Sequence, residues 1–286
     1  MSISPGTLYV VATPIGNLDD FSLRARRILS TVDFIAAEDT RHSSILLKAF
    51  DITGKERISL HEHNEAEHSQ RIVARLLAGE TGALISDAGT PLVSDPGFRL
   101  VRAVQAENLA LSPIPGASAV TAALSVAGMA TDRFAFEGFL PARATARRKR
   151  LAALAEEART LVFYEAPHRL VALLSDCVEL FGGDREAALA RELTKIHESI
   201  RRAPLEKILH RLTSGEEPAR GECVVLIAGA PERASGYSTE PLLKALLAEG
   251  LSPSVSAGIA RRLSRQPHRR LYRRALELSR ELRQGE

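Results

Sequence analysis

Five short stretches of this 286-residue chain combine small residues, turn formers and ionisable side chains more densely than plain connections require. They are Ala12-Thr13-Pro14-Ile15-Gly16-Asn17, Ala37-Glu38-Asp39-Thr40-Arg41-His42, His61-Glu62-His63-Asn64, Ser86-Asp87-Ala88-Gly89-Thr90-Pro91 and Pro113-Ile114-Pro115-Gly116-Ala117-Ser118. Small side chains let a ligand approach the main chain, which suits a flat nucleoside joined to an amino-acid moiety. Neither GxGxxG nor GxxxxGK[ST] occurs, so a dinucleotide site and a Walker-type phosphate loop are both disfavoured. The His-Glu-His-Asn stretch is not HExxH and has no third ligand at a fixed spacing, so no metal is expected. Cys177 and Cys223 lack CxxC or Cys/His spacing and fall in apolar segments, which reads as core packing.

Each of those stretches follows an apolar, β-branched run: Leu8 to Ala12, Val32 to Ala37, Arg57 to His61, Ala83 to Ser86 and Leu109 to Ile114. Helical patterns lie between them, from about Phe21 to Leu29, Ser43 to Phe50, Glu65 to Leu77, Asp95 to Ala106 and Ser118 to Ala127. Alternation of this kind predicts a parallel α/β sheet, whose ligands bind beyond the carboxyl ends of the strands. A second series predicts strands at Phe134 to Glu137, Leu161 to Glu165, Ala187 to Glu192 and Glu222 to Ala228. Its helices read near Thr145 to Glu157, His168 to Leu180 and Leu205 to Leu212. After a Pro/Gly/Ser-rich linker at Pro231 to Ser238, three short helices follow at Glu240 to Ala248, Val255 to Leu263 and Leu271 to Leu282, in a helix-turn-helix-like pattern. The expected domains are residues 1–128, 129–232 and 237–286.

Composition is that of a globular protein, with 45% apolar and 26% charged residues. No apolar run reaches the roughly 20 residues that span a bilayer, and the start of the chain lacks a basic stretch followed by a long hydrophobic one. A cytoplasmic protein without membrane contact is therefore expected. The net charge of +3 hides a division: from Tyr237 to Glu286 ten Lys/Arg stand against five Glu, while the preceding residues carry 28 basic and 30 acidic side chains. Seven arginines and no acid lie between Arg261 and Arg274, a density that fits a polyanion. A second basic cluster at Arg143, Arg147, Arg148, Lys149 and Arg150 has Glu156 and Glu157 close by as helical partners, so a solvated helix face competes with a binding role.

Beyond the loops already quoted, Glu137-Gly138-Phe139-Leu140-Pro141, Phe163-Tyr164-Glu165-Ala166-Pro167-His168-Arg169 and Ala190-Arg191-Glu192-Leu193-Thr194-Lys195 complete a set that resembles the bacterial ribosomal small-subunit methyltransferase I family. The resemblance spans essentially the whole chain. It implies two α/β domains of the tetrapyrrole methylase-like (class III methyltransferase) type with a small C-terminal helical domain. It also implies S-adenosylmethionine as cofactor, 16S rRNA in the small ribosomal subunit as partner, methylation of a cytidine ribose 2'-hydroxyl in the decoding region, and a homodimer. Carried over residue by residue, the cofactor would meet Pro14, then Asp87, Gly89 and Pro91, then Pro115, Gly116, Ala117 and Ser118, with Leu193 and Thr194 reaching in from the second domain. One departure is Arg143, where the family pattern has a lysine.

A ribose hydroxyl is a poor acid, so a base that removes its proton would help the transfer. Asp39 and His63 rank first among the strand-end candidates, and Glu165, His168 and Lys195 form a rival set; either set could instead grip RNA phosphate. The RNA-facing arginines are expected to be Arg41, Arg143, Arg147, Arg148, Arg262, Arg269, Arg270, Arg273 and Arg274. Two alternatives stay open at this point: a methylase of the same superfamily acting on a tetrapyrrole or protein, and a nucleic-acid-binding regulator without catalysis.

Overall fold

The computed structural model describes residues 4–61, 63–231, 239–264 and 267–284. Strands β1 (Thr7–Val11), β2 (Phe34–Ala37), β3 (Glu56–Ser59), β4 (Gly82–Ile85) and β5 (Ala110–Ile114) form one sheet in the order β3-β2-β4-β1-β5. Every pairing in it is parallel, with Leu8 opposite Gly82 and Thr7 opposite Ala110. Alternate residues serve opposite faces. Tyr9, Val11, Ile35, Ala37, Ala83 and Ile85 join a cluster that includes α1 (Leu23–Thr31) and Leu47 of α2 (Thr40–Ala49). Leu8, Phe34, Ala36 and Leu84 pack instead with α3 (Glu65–Leu77) and α4 (Phe98–Ala106). A parallel sheet covered on both faces needs near-continuous apolar strands, and that is why these runs stood out in the sequence.

The second sheet holds β6 (Phe134–Phe139), β7 (Thr160–Glu165), β8 (Glu186–Arg191), β9 (Ser199–Pro204) and β10 (Cys223–Ile227), ordered β6-β7-β10-β8-β9. Only β6 and β7 are parallel; the other pairings are antiparallel. Helices α6 (Ala144–Leu154), α7 (Pro167–Phe181) and α8 (Leu205–Thr213) cover one face. The opposite face packs against α5 (Ala119–Val126), through Val120, Ala123 and Leu124 on Val162, Ala188, Val224 and Leu226. Thus the helix that closes the first sheet's sequence is the floor of the second, and the two sheets belong to one compact unit, Met1–Gly229.

Two expectations are corrected. Strand β9 was not anticipated, because an edge strand carrying Arg201, Arg202 and Pro204 lacks the apolar alternation of a half-buried one. Helix α4 begins at Phe98 rather than Asp95: Gly97 has φ 127°, and Leu92 and Ser94 both have φ 72°, so the chain loops before the helix starts.

Ala230–Glu286 forms a second unit. Its helices α9 (Thr239–Ala248), α10 (Pro253–Ser264) and α11 (His268–Gln284) pack on Leu243, Ala257, Ala260, Leu271, Ala275 and Leu278. The expected linker falls mostly on residues 232–238, outside the described residues.

Candidate active site

A cavity of about 420 Å³ opens where the carboxyl ends of β1, β2, β4 and the loop after β5 face the ends of β6, β7 and β8 and the start of β10. Its walls come from Ile15, Glu38, the segment Asp87 to Thr90, Val93 to Asp95, Ser118 and Ala119 on one side. Phe139, Tyr164 to Pro167, Leu193 and Glu222 to Val224 close the other. The size lies in the roughly 300–1,000 Å³ range of small-molecule sites.

The first-sheet loops are tied to one another. Thr13 and Gly89 exchange backbone hydrogen bonds (2.8 and 3.1 Å), the Thr13 hydroxyl donates to the Ser86 carbonyl, and the Thr90 hydroxyl donates to the Ala117 carbonyl. Gly89 sits at φ 86°, in the left-handed region, which favours glycine there. A Cβ on Gly16 would stand 2.4 Å from Lys195 Cγ, so the loop after β1 meets the second-sheet loop with no room for a side chain.

The lining is acidic. It includes Glu38, Asp87, Asp95, Glu165 and Glu222, and no Lys, Arg or His among the described residues. Asp87 accepts the Asp39 N–H (3.2 Å). Glu165 accepts the Ala166 N–H (2.9 Å) and pairs with Arg169 (3.0 Å). Lys195 stands behind Glu222 (3.1 Å) and Glu192 (3.0 Å). Burial pushes the Asp95 carboxyl up to about 6 despite a hydrogen bond with Ser86, and the Asp87 charge adds to the rise. Burial also raises the Tyr164 phenol to about 12 and the Cys223 thiol to about 11.

Of the expected cofactor residues, Asp87, Gly89, Ser118 and Leu193 line the cavity; Pro14, Pro91, Pro115, Gly116, Ala117 and Thr194 lie in the loops that build it without facing it. Asp39 and His63 do not line it. The Asp39 side chain caps α2 by accepting the Arg41 N–H (2.8 Å) and pairs with the Arg41 guanidinium (3.3 Å), contacts that hold its carboxyl below its ordinary value and make it a weak base. His63 is exposed, its ring 6.0 Å from that of His61. In the rival set Glu165 lines the cavity, Lys195 stands behind it and His168 is exposed. Among the described residues no cluster of three or more His, Cys, Asp or Glu could hold a metal ion.

Sequence reasoning missed Asp95, Phe139, Tyr164 and Cys223. For Asp95 the signal was present in Ser94-Asp95-Pro96-Gly97, a turn string that was read as the start of a helix.

The expected RNA-facing arginines divide. Arg41 and Arg143 are exposed in the first unit, and Arg262, Arg269, Arg270 and Arg273 in the second. Arg147 is corrected: its side chain is only 7% exposed and pairs with Asp176 (2.7 Å), so it cannot reach a polyanion. Arg148 bonds the same Asp176 (2.9 Å) and also Glu179, and Arg274 is held by Glu240 (2.7 Å) and Glu277 (3.0 Å). The partners of Arg147 and Arg148 come from α7, not from the neighbouring Glu156 and Glu157.

The family model for Tetrapyrrole (Corrin/Porphyrin) Methylases matches residues 7–209. Ribosomal RNA small subunit methyltransferase I of Pseudomonas aeruginosa is 53% identical over 279 residues, covering 96% of this chain and 98% of that one. The chain belongs to the ribosomal RNA small subunit methyltransferase I family. The Escherichia coli O157:H7 member of the family is 43% identical over 275 residues, with 96% of each chain covered. Solved structures share the fold of this methyltransferase family: a cobalt precorrin-4 methyltransferase at TM-score 0.59 and 16% identity (78% of this chain, 95% of that one), and a uroporphyrin-III C-methyltransferase from Thermus thermophilus complexed with S-adenosyl homocysteine at 0.54 and 17% (78% and 96%). Membership of this family makes the chain a methyltransferase. The cavity fits S-adenosylmethionine, the cofactor that the family resemblance implies: Ile15, Val93, Leu193 and Val224 offer apolar walls to a flat base, and the surplus of carboxylates suits the cationic ammonium and sulfonium groups.

Proposed function

We propose that this chain methylates the ribose 2'-hydroxyl of a cytidine in the decoding region of 16S rRNA, acting on the small ribosomal subunit as a homodimer. The observation that carries this reading is the extent of the likeness to proteins named for small-subunit rRNA, which covers 96% of the chain and therefore takes in the C-terminal helical unit. The tetrapyrrole methylase model ends at residue 209, and the solved neighbours with other substrates cover 78% of the chain. A basic helical extension has a use on RNA and none on a corrin or porphyrin.

When bound, S-adenosylmethionine supplies an electrophilic methyl group on a cationic sulfur. Asp87, on the tied loop after β4, holds a cationic group of the donor; Gly89, Ser118 and Leu193 shape the space around it. Pro14, Pro91, Pro115, Gly116, Ala117 and Thr194 fix the backbone of those loops. Because alignment of the reacting atoms dominates such a displacement, the Thr13–Gly89 and Thr90–Ala117 ties contribute by keeping the cavity in one shape. Arg41, Arg143, Arg262, Arg269, Arg270 and Arg273 contact phosphates.

Incubation with methyl-labelled S-adenosylmethionine tests the reading against assembled small subunits, naked 16S rRNA, duplex DNA and a porphyrin precursor. Label is expected in the 16S rRNA of assembled small subunits and not in DNA or porphyrin. Label in the porphyrin, or in none of the four, would overturn it.

A further inference from the structure

We propose that Asp95 is the catalytic base that takes the proton of the attacking hydroxyl; this rests on the ribose-methylation reading above. As the new oxygen–carbon bond forms, the hydroxyl proton passes to an Asp95 carboxylate oxygen. The methyl–sulfur bond breaks with its electron pair left on sulfur, so the positive charge lost there reappears as the proton on Asp95, which water then removes.

Three features of the structure converge on this residue. First, the base must come from the lining, and the only side chains there that are basic near neutral pH are the carboxylates of Glu38, Asp87, Asp95, Glu165 and Glu222; Tyr164 and Cys223 are held protonated by burial. Glu165 is engaged by the Ala166 N–H and Arg169, Glu222 by Lys195, and Asp87 by the Asp39 N–H. Those contacts occupy Glu165, Glu222 and Asp87 as structural ties within the walls.

Second, Asp95 is not needed for the structural task its position suggests. An aspartate just before a helix usually caps it. Here the start of α4 is served by Glu65, whose Oε1 accepts the Gly97 N–H (3.1 Å) and the Arg99 N–H (2.7 Å).

Third, the loop that presents Asp95 is bent for it. Leu92 and Ser94 both take left-handed φ of 72°, an unfavoured conformation for side-chain-bearing residues that persists only where surroundings enforce it. The enforcement is visible: a Cβ on Gly97 would stand 2.7 Å from Leu84 and 3.2 Å from Leu92, and a Cβ on Gly138 would stand 3.0 Å from the Ser94 hydroxyl. The ionisable group whose charge Asp95 feels is Asp87 on its own loop, and Ser86 is bonded to it; the Tyr164 phenol on β7 in turn feels the charge of Asp95. Burial places its carboxyl at about 6, close to the operating pH that best suits a general base.

The test is single-turnover methylation of small subunits at saturating donor, followed across pH, with donor binding measured by calorimetry. Wild type is expected to show an acid limb no higher than about 6, since a bound cation favours the carboxylate. Asp95→Asn is expected to bind donor yet lose about a hundredfold or more in rate at every pH, whereas Glu38→Gln keeps the limb. Ser86→Ala, which removes the hydrogen bond favouring the anion, is expected to move the limb upward, and it carries the test if Asp95→Asn fails to fold. Near wild-type rate in Asp95→Asn, loss of the limb in Glu38→Gln instead, or an unmoved limb in Ser86→Ala would overturn the assignment while leaving ribose methylation standing. Wild-type label on a base would overturn both.

Discussion

A half-buried carboxylate in the wall of a cationic ligand's site costs the empty protein stability, and Asp95 makes that cost measurable. Its ordinary value is 3.8 and its folded value is about 6, so the native state binds more protons than the unfolded chain between those values. Stability contributed by this group is therefore greatest at low pH and falls as pH rises through that window. Asp95→Asn should raise stability at pH 7.5 by about 1–2 kcal/mol, allowing for partial solvent screening, and abolish this part of the pH slope. Urea melts at pH 5 and 7.5 read both effects; equal or lower stability of the variant at pH 7.5 would contradict them. Asp87→Ala should bind S-adenosylmethionine at least about tenfold more weakly by calorimetry, as expected for removing a charge partner of a cation. At this scale Asp87, Gly89, Ser118 and Leu193, which the family resemblance pointed to, line the cavity. Whether Asp39 is an N-cap or a base was not legible, since the same side chain serves as either and only the positions of the Arg41 N–H and guanidinium distinguish the two. Arg147 was misread for a similar reason: its acid partner, Asp176, lies 29 residues away, beyond any helical spacing rule.

Strands β1, β2 and β4, nearly buried throughout, were legible as apolar runs, and the partly exposed β3 and β5 were legible from their place in the strand–helix alternation. The edge strand β9 was not, because half of its side chains meet solvent and its register is set by pairing with β8. The start of α4 was misplaced by three residues, which hid the loop that matters most for the site. That loop's left-handed residues offer a prediction of their own. Ser94→Gly should stabilise the protein by roughly 0.5–1 kcal/mol, since glycine takes φ 72° without a Cβ penalty. The same change should slow methyl transfer by freeing the backbone that presents Asp95. A melt shifted downward, or a faster enzyme, would argue against strain held for function. Between α6 and α7, Arg147→Ala should cost about 3–5 kcal/mol by leaving Asp176 with a buried charge and one fewer partner, an effect on the melt and not on RNA affinity.

Over the whole molecule, a net charge of +3 conveyed nothing until it was divided. The two compact units correspond to that division: a slightly acidic α/β unit with an acidic cavity, and a helical unit with exposed arginines. A chain ending at Gly229 should still fold around its own cores and bind S-adenosylmethionine, but lose most of its affinity for RNA. For the full chain, log affinity for single-stranded RNA should fall with log salt at about −0.7 per phosphate contact, a total near −3 to −4 if roughly four to six contacts form. A slope near zero, or equal RNA affinity without the helical unit, would remove the tail from the account. The organisation into α/β and basic helical parts was legible from periodicity and charge; the packing of α5 on the second sheet was not, since chain order places it with the first.

On the proposed function, the cavity delivers a methyl group to a ribose oxygen. Small subunits methylated by the wild-type protein, digested to nucleosides and resolved by mass spectrometry, test this most directly. One added methyl per subunit is expected, on the sugar of a cytidine and resistant to alkaline cleavage on its 3' side. A methyl on the base, or on a nucleoside other than cytidine, would contradict it.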